Sequence, residues 1–157
     1  MEVLMTKKAK PAEPKVRMMR ENDLDVVVKI DASVSGQKRY EYYQRKIELA
    51  LSQTQQLITS MVIEEEGEVV GFILGELYLG EFGVPESTAT IDTIGVDPIV
   101  QGHGIGTTLI QEYASYLRRK GVKSIHTRVN WNDWNLLSFF EKIGFSPAKM
   151  VTLELGL

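Results

Sequence analysis

The chain contains no cysteine and only two histidines, His103 and His126, among its 157 residues. Disulfides, a thiol nucleophile and any cysteine-based zinc site are therefore excluded. We expect no metal centre, because two histidines would have to converge and nothing in their placement brings them together. Positive charge is not in excess either. Eighteen Lys and Arg against twenty-one Asp and Glu give a net charge of -3, so no global field attracts nucleic acid. No apolar run approaches the roughly 18 to 20 residues needed to cross a bilayer. The amino-terminal MEVLMTKKAKPAEPK lacks the apolar stretch of a signal peptide. These absences lead us to expect a cytoplasmic protein without nucleic-acid or membrane partners. What is present is ordinary for a globular protein, with 43% hydrophobic and 25% charged residues. We assign residues 16–157 to one domain and read 1–15, with its lysines and prolines, as a flexible tail.

Hydrophobic spacing predicts the elements. Val16 to Met19 reads as a strand. Asn22 or Asp23 is placed to cap a helix carrying Leu24, Val27, Val28 and Asp31, which ends between Ser33 and Gly36. A second helix, from about Lys38 to Gln53, has the stripe Tyr40, Tyr43, Ile47, Ala50 and Leu51. Leu57 to Glu64 and Val69 to Leu79 read as a hairpin about the turn Glu65–Glu68, with Gly71 and Gly75 where a neighbour can approach closely. Glu81 to Ser87 reads as a loop, and Thr88 to Val96 as the next strand. Then follow a helix from Ile105 to Lys120, a strand from Ser124 to Asn130 and a helix from Trp134 to Ile143. A last strand, Phe145 to Leu155, is interrupted by Pro147. The order is that of a mixed α/β sheet with helices on its faces.

The most informative stretch is Val96-Asp97-Pro98-Ile99-Val100-Gln101-Gly102-His103-Gly104-Ile105-Gly106-Thr107. It runs a strand into a glycine-rich turn that opens a long helix. Glycines admit positive φ, and the free N–H groups of a helix start can seat a phosphate. The plainer reading is a tight turn whose glycines serve packing. Neither the dinucleotide fingerprint G-x-G-x-x-G nor a P-loop fits this spacing, which undercuts a nucleotide-binding domain. The pattern Q/R-x-x-G-x-G/A does fit, on Gln101, Gly104 and Gly106. Downstream, Val129-Asn-Trp-Asn-Asp133 and Phe139-Phe140-Glu141-Lys142-Ile143-Gly144-Phe145 follow V-x-x-x-N and L-Y-E-K-L-G-F. On these two motifs, across roughly residues 88–146, the sequence resembles the GNAT superfamily of acyl-CoA-dependent N-acyltransferases.

The resemblance implies a GNAT fold: a mixed twisted sheet whose central strands splay into a cleft for acetyl-CoA. It implies an N-acetyltransferase that moves the acetyl group to a primary amine by direct attack in a ternary complex. Main-chain groups of Ile94, Gly95 and Val96 would hold the pantetheine. Backbone N–H groups across Gln101, Gly102, His103, Gly104, Ile105, Gly106 and Thr107 would hold the pyrophosphate. The reaction needs a neutral amine and so a base. Asp92 is expected in that role, two residues before Ile94 and hence on the same face by strand periodicity. Glu76 is the second candidate, and Glu81, on an expected loop, is weaker. The alternative for Asp92 is a strand-end carboxylate paired with a cation.

Two positions depart from the family pattern. Its usual tyrosine is Phe140, which has no O–H to offer the CoA sulfur. Its asparagine is Asp133, which suits a helix cap and leaves Asn132 or Asn135 to supply an amide. These departures keep a second reading open, a catalytically weak acyl-CoA-binding or regulatory module. His103 reads as a phosphate contact or a solvent-facing side chain. Trp131 and Trp134 read as packing residues or a substrate platform. The acceptor amine, unknown from sequence, would lie against Ser33 to Tyr43, where Lys38 and Arg39 are compatible with a carboxylate on it. The expected strand at Met150 to Leu155 suggests a possible homodimer.

Overall fold

A computed structural model describes residues 12–52 and 59–157. Residues 1–11 of the expected tail, Gln53, and Leu57 and Ile58 of the expected strand lie outside the described residues, as do the side chains of Ala50 and Leu51. Five strands form one sheet in the order β1 to β5: Lys15–Met18, Met61–Glu65, Glu68–Glu81, Val84–Val96 and Ser124–Thr127. The first four are antiparallel in sequence, and β5 is parallel to β4. Helices α1 (Leu24–Ser35) and α2 (Tyr40–Ser52) precede β2, α3 (Ile105–Arg119) joins β4 to β5, and α4 (Trp134–Ile143) follows.

Strand alternation sorts the core into two layers. Met61, Ile63, Ile73, Leu77, Ala89 and Ile91 face α3 and α4, where they meet Leu109, Ile110, Tyr113 and Phe140. Val62, Phe72 and Leu74 face the other way, against Val27, Val28 and Ile30 of α1 and Tyr43 of α2. Gly75 lies where the sheet meets α3. A Cβ built there would stand 1.9 Å from the Tyr113 hydroxyl, so only glycine lets that ring cross the strand. Tyr113 shares a buried 2.9 Å hydrogen bond with Thr59.

Several expectations are corrected. The segment expected to be a loop at Glu81–Ser87 is the tip of a long hairpin. Glu81 pairs with Val84 around Phe82 and Gly83, with φ of 50° and 74°. Two positive φ values suit a type I′ turn, whose twist matches the strands it joins. Pro85 is tolerated because β5 begins to pair only at Thr88, leaving that side of β4 without a ladder. The strand expected to reach Asn130 stops at Thr127. No strand forms across Phe145–Leu155, because its apolar positions find no sheet edge. Val151, Leu153 and Leu155 remain 83%, 88% and 83% exposed. Asp23 does not cap α1 with its side chain. Its carboxylate accepts instead from Arg17 and from the Arg20 N–H, bracing the short turn before the helix.

Candidate active site

The sheet forks beside Asp92. β4 and β5 pair from Thr88–Ser124 to Ile91–Thr127 and no further. β4 continues to Val96 with only β3 beside it, which leaves the backbone of residues 92–96 open on its other edge. The splay expected of the central strands is therefore present.

A β-bulge adds a feature that strand periodicity did not anticipate. Leu74 pairs with Thr93 and Gly75 with Ile91, so Asp92 is the extra residue on β4. Bulges bend a strand and redirect a side chain. Ile94 and Val96 stay in the layer packed on α3, whereas the Asp92 carboxylate turns to α2 on the opposite layer. The expectation that Asp92 and Ile94 share a face is thereby overturned.

On that layer Asp92 and Glu76 come together around a residue that sequence reasoning did not single out. Lys46 Nζ lies 3.1 Å from Asp92 Oδ1 and 3.4 Å from Glu76 Oε1. The Tyr42 hydroxyl donates to Asp92 Oδ2 at 3.0 Å, and the Thr93 hydroxyl at 3.1 Å. The Tyr78 hydroxyl donates to the second Glu76 oxygen. Burial works against the Lys46 ammonium, but the Asp92 hydrogen bond and the surrounding carboxylates outweigh it and hold its pKa above the usual lysine value. The Tyr78 phenol is pushed up to about 12, chiefly by its bond to Glu76 and then by burial. Burial, followed by the Asp92 charge, raises Tyr42 as well. Arg39, Tyr42, Tyr43 and Lys46 follow the i, i+3, i+4, i+7 spacing of one helix face, which was the available signal.

Arg39, read as compatible with an acceptor carboxylate, is committed elsewhere. Its guanidinium grips Asp31 at 2.6 and 3.0 Å and lies 5.5 and 5.7 Å from the ring centres of Tyr42 and Tyr43. Lys38 instead lines a groove of about 530 Å³ between α1 and α2, together with Asp25, Ser33 and Tyr40. None of the carboxylate-cluster residues lines that groove.

The loop between β4 and α3 is built for two separate reasons. Gly102 and Gly104 have φ of 83° and 80°, with open space where a Cβ would stand. Both are required by backbone conformation. At Gly106, by contrast, a Cβ would meet the Phe139 ring at 3.0 Å, so this glycine lets α3 and α4 pack. Gln101 Nε2 donates to the Val96 carbonyl at 2.9 Å and ties the loop to the end of β4. Thr108 N–H is bonded to the Gly104 carbonyl. The N–H groups of Ile105, Gly106 and Thr107 precede that first helical bond and have no partner within the helix. These donors, beside the exposed Gln101–Gly104 turn, fit an anionic phosphate. His103 is exposed.

The remaining expected residues are dispersed. Asp133 Oδ1 accepts from Leu136 N–H at 3.1 Å and caps α4. Phe140 is 4% exposed and packs between Phe139 and Phe145, with ring centres 5.4 and 4.9 Å away, so its ring belongs to the core. Asn132 is exposed. Trp131 and Trp134 are 80% and 68% exposed, which does not suit the packing alternative of the two readings. His126 is half-buried, with Nε2 3.0 Å from the Ser124 hydroxyl. Among the described residues, no group of three or more His, Asp or Glu is placed to hold a metal ion, and no helix is long and apolar enough to cross a membrane.

Residues 26–145 match the acetyltransferase (GNAT) family, and the chain belongs to that family, within the class of acyltransferases. It is 34% identical over 86 residues to a mycothiol acetyltransferase of Amycolatopsis mediterranei, a match covering 53% of this chain and 28% of that protein. It is 24% identical over 138 residues to an acetyltransferase of Pectobacterium atrosepticum, covering 88% of this chain and 92% of that one. The chain thus spans less than a third of the mycothiol enzyme. Among solved structures, the aminoglycoside N-acetyltransferase AAC(6')-Iy in complex with CoA superposes with a TM-score of 0.79 at 13% identity, over 94% of this chain and 97% of that one. At that identity the likeness concerns the fold.

Proposed function

We propose that this protein is an N-acetyltransferase that moves an acetyl group from acetyl-CoA to a primary amine in a ternary complex, in the cytoplasm, with residues 16–157 acting as one domain. The observation that carries this reading is the position of Asp92, bulged from β4 at the point where β4 parts from β5. Acetyl-CoA supplies the acyl group in activated form as a thioester. The N–H groups from Gln101 to Thr107 hold its phosphates, and the open edge of Ile94, Gly95 and Val96 pairs with the pantetheine amides. Asn132 offers an amide near the start of α4, while Asp133 and Phe140 support the site by holding α4 in place.

Asp92 and Glu76 then receive the acceptor. An amine reaches the site mostly as an ammonium, and a carboxylate within contact binds it and takes up its proton. Asp92 is the base in this reading and Glu76 its partner. The Tyr42 and Tyr78 hydroxyls orient the two carboxylates, each occupying one oxygen. Thiolate protonation does not need the tyrosine that Phe140 replaces, because a thiol pKa of about 8.5 makes thiolate a tolerable leaving group.

Asp92→Asn tests the assignment. CoA thiol release with an accepted amine should fall by about 10² to 10⁴, while acetyl-CoA binding persists. An unchanged rate and pH profile would remove Asp92 from the mechanism.

A homodimer accompanies this reading. Val151, Leu153 and Leu155 alternate with Thr152 and Glu154 as a half-buried strand would, yet they remain exposed. The edge of β5 away from β4 carries no partner among the described residues. Pairing of this segment with a second copy would cover both. Chromatography with light scattering should return twice the monomer mass, and a monomer after Leu153→Lys.

A further inference from the structure

Two carboxylates and one ammonium share the cluster above the fork, and their balance bears on what can enter. Lys46 Nζ touches both Asp92 and Glu76. Its side chain is 29% exposed, as is that of Asp92, and that of Glu76 is 37% exposed, so the group is reachable from solvent. Each carboxylate has one oxygen on Lys46 and the other on a tyrosine. Arg39, immediately before α2, is tied to Asp31 and does not add to the balance.

We propose that Lys46 sets the charge of the acceptor site, making it a place for an amine that presents a single ammonium to the Asp92–Glu76 pair. The inference rests on the acetyltransferase reading for its biological meaning, but the charge balance is a property of the unliganded chain. With Lys46 present, the two carboxylates retain one uncompensated negative charge, enough for one incoming cation. Without it they retain two, and an acceptor with two nearby ammonium groups gains a second contact. The acceptor class is therefore a monoamine, or a larger amine whose further charges lie away from the reacting nitrogen. An acceptor whose own carboxylate sought Lys46 would have to compete with both Asp92 and Glu76 for it.

The test compares binding of n-butylamine and 1,4-diaminobutane to the full chain by nuclear magnetic resonance titration, read at the Tyr42 and Tyr78 rings. Lys46→Met keeps the aliphatic stem and removes the charge, and Lys46→Arg keeps the charge. The ratio of the two dissociation constants should move about tenfold toward the diamine in Lys46→Met, given partial screening of contacts at this exposure. It should stay near the wild-type ratio in Lys46→Arg. An unmoved ratio in Lys46→Met, a shift toward the monoamine, or an equal shift in Lys46→Arg overturns the proposal, as does failure of either amine to bind any form. Because binding is read without turnover, a wild-type chain that released no thiol from acetyl-CoA would defeat the acetyltransferase reading and leave this result to be judged separately.

Discussion

Gly75→Ala is a severe test of how the sheet accommodates α3. The added methyl would lie 1.9 Å from the Tyr113 Oη, 2.7 Å from its Cζ and 2.9 Å from the Thr59 carbonyl. All three neighbours are constrained. Tyr113 is wholly buried and Thr59 is 1% exposed, so the ring cannot swing into solvent. Forcing a methyl into a filled core costs about 1–3 kcal/mol. Displacing the hydroxyl also breaks the 2.9 Å bond between Tyr113 and Thr59. Leaving those groups unsatisfied adds about 1–3 kcal/mol. The substitution should therefore destabilise the fold by roughly 2–6 kcal/mol, read from urea unfolding followed by circular dichroism. Tyr113→Phe alone removes the hydroxyl and should cost about 1 kcal/mol. Combining the two relieves the closest contact but not those at Cζ and the carbonyl, so the double variant should cost less than the sum by about 1–3 kcal/mol. Additive costs, or a Gly75→Ala penalty below about 1 kcal/mol, would refute the claim that the Tyr113 hydroxyl dictates glycine here.

The loop between β4 and α3 separates its glycines by cause. Gly104→Val imposes a branched side chain at positive φ, a strain of about 1–3 kcal/mol, and should abolish acetyl-CoA binding in calorimetry. Gly106→Val should lower the melting temperature, because it drives into Phe139. Retained acetyl-CoA binding in Gly104→Val, or an unchanged melting temperature in Gly106→Val, would show the two roles to be misassigned. Tyr113 also has a pH signature. Burial, the largest influence, pushes its phenol from an ordinary 10.0 up to about 12. A group raised in the folded state contributes stability that is complete below its unfolded pKa and is lost as pH rises through the folded one. Stability should therefore decline between about pH 10 and 12, and Tyr113→Phe should flatten that decline in chemical-denaturation curves.

Much of the fold was legible because its elements carry strong local signals. The spans of α3 and α4 and the Glu65–Glu68 turn are all determined by residues within a few positions of one another. Gly75 was readable as a point of close approach, although its partner Tyr113 was not. The failures are non-local. Phe145–Leu155 has the alternation of a strand, but alternation yields a strand only where a sheet edge receives it. Glu81–Ser87 was expected to be a loop, since nothing local reveals that β5 starts too late to need an N–H donor at position 85, which proline lacks. At the site, the glycine loop and the two carboxylates were readable as residues, but their geometry was not. The bulge at Asp92 arises from the register between β3 and β4, and Lys46 reaches the carboxylates only because α2 packs across the sheet.

The central claim is that the forked strand, the glycine loop and the Asp92–Glu76 pair act together to transfer an acetyl group to an amine. Its most direct test is to incubate the protein with acetyl-CoA and a panel of monoamines, measuring free CoA thiol and acetylated amine together by mass spectrometry. We predict stoichiometric formation of both with at least one monoamine, and loss of both in Asp92→Asn. Binding of acetyl-CoA without turnover across the panel would contradict the account and identify a coenzyme-binding module instead.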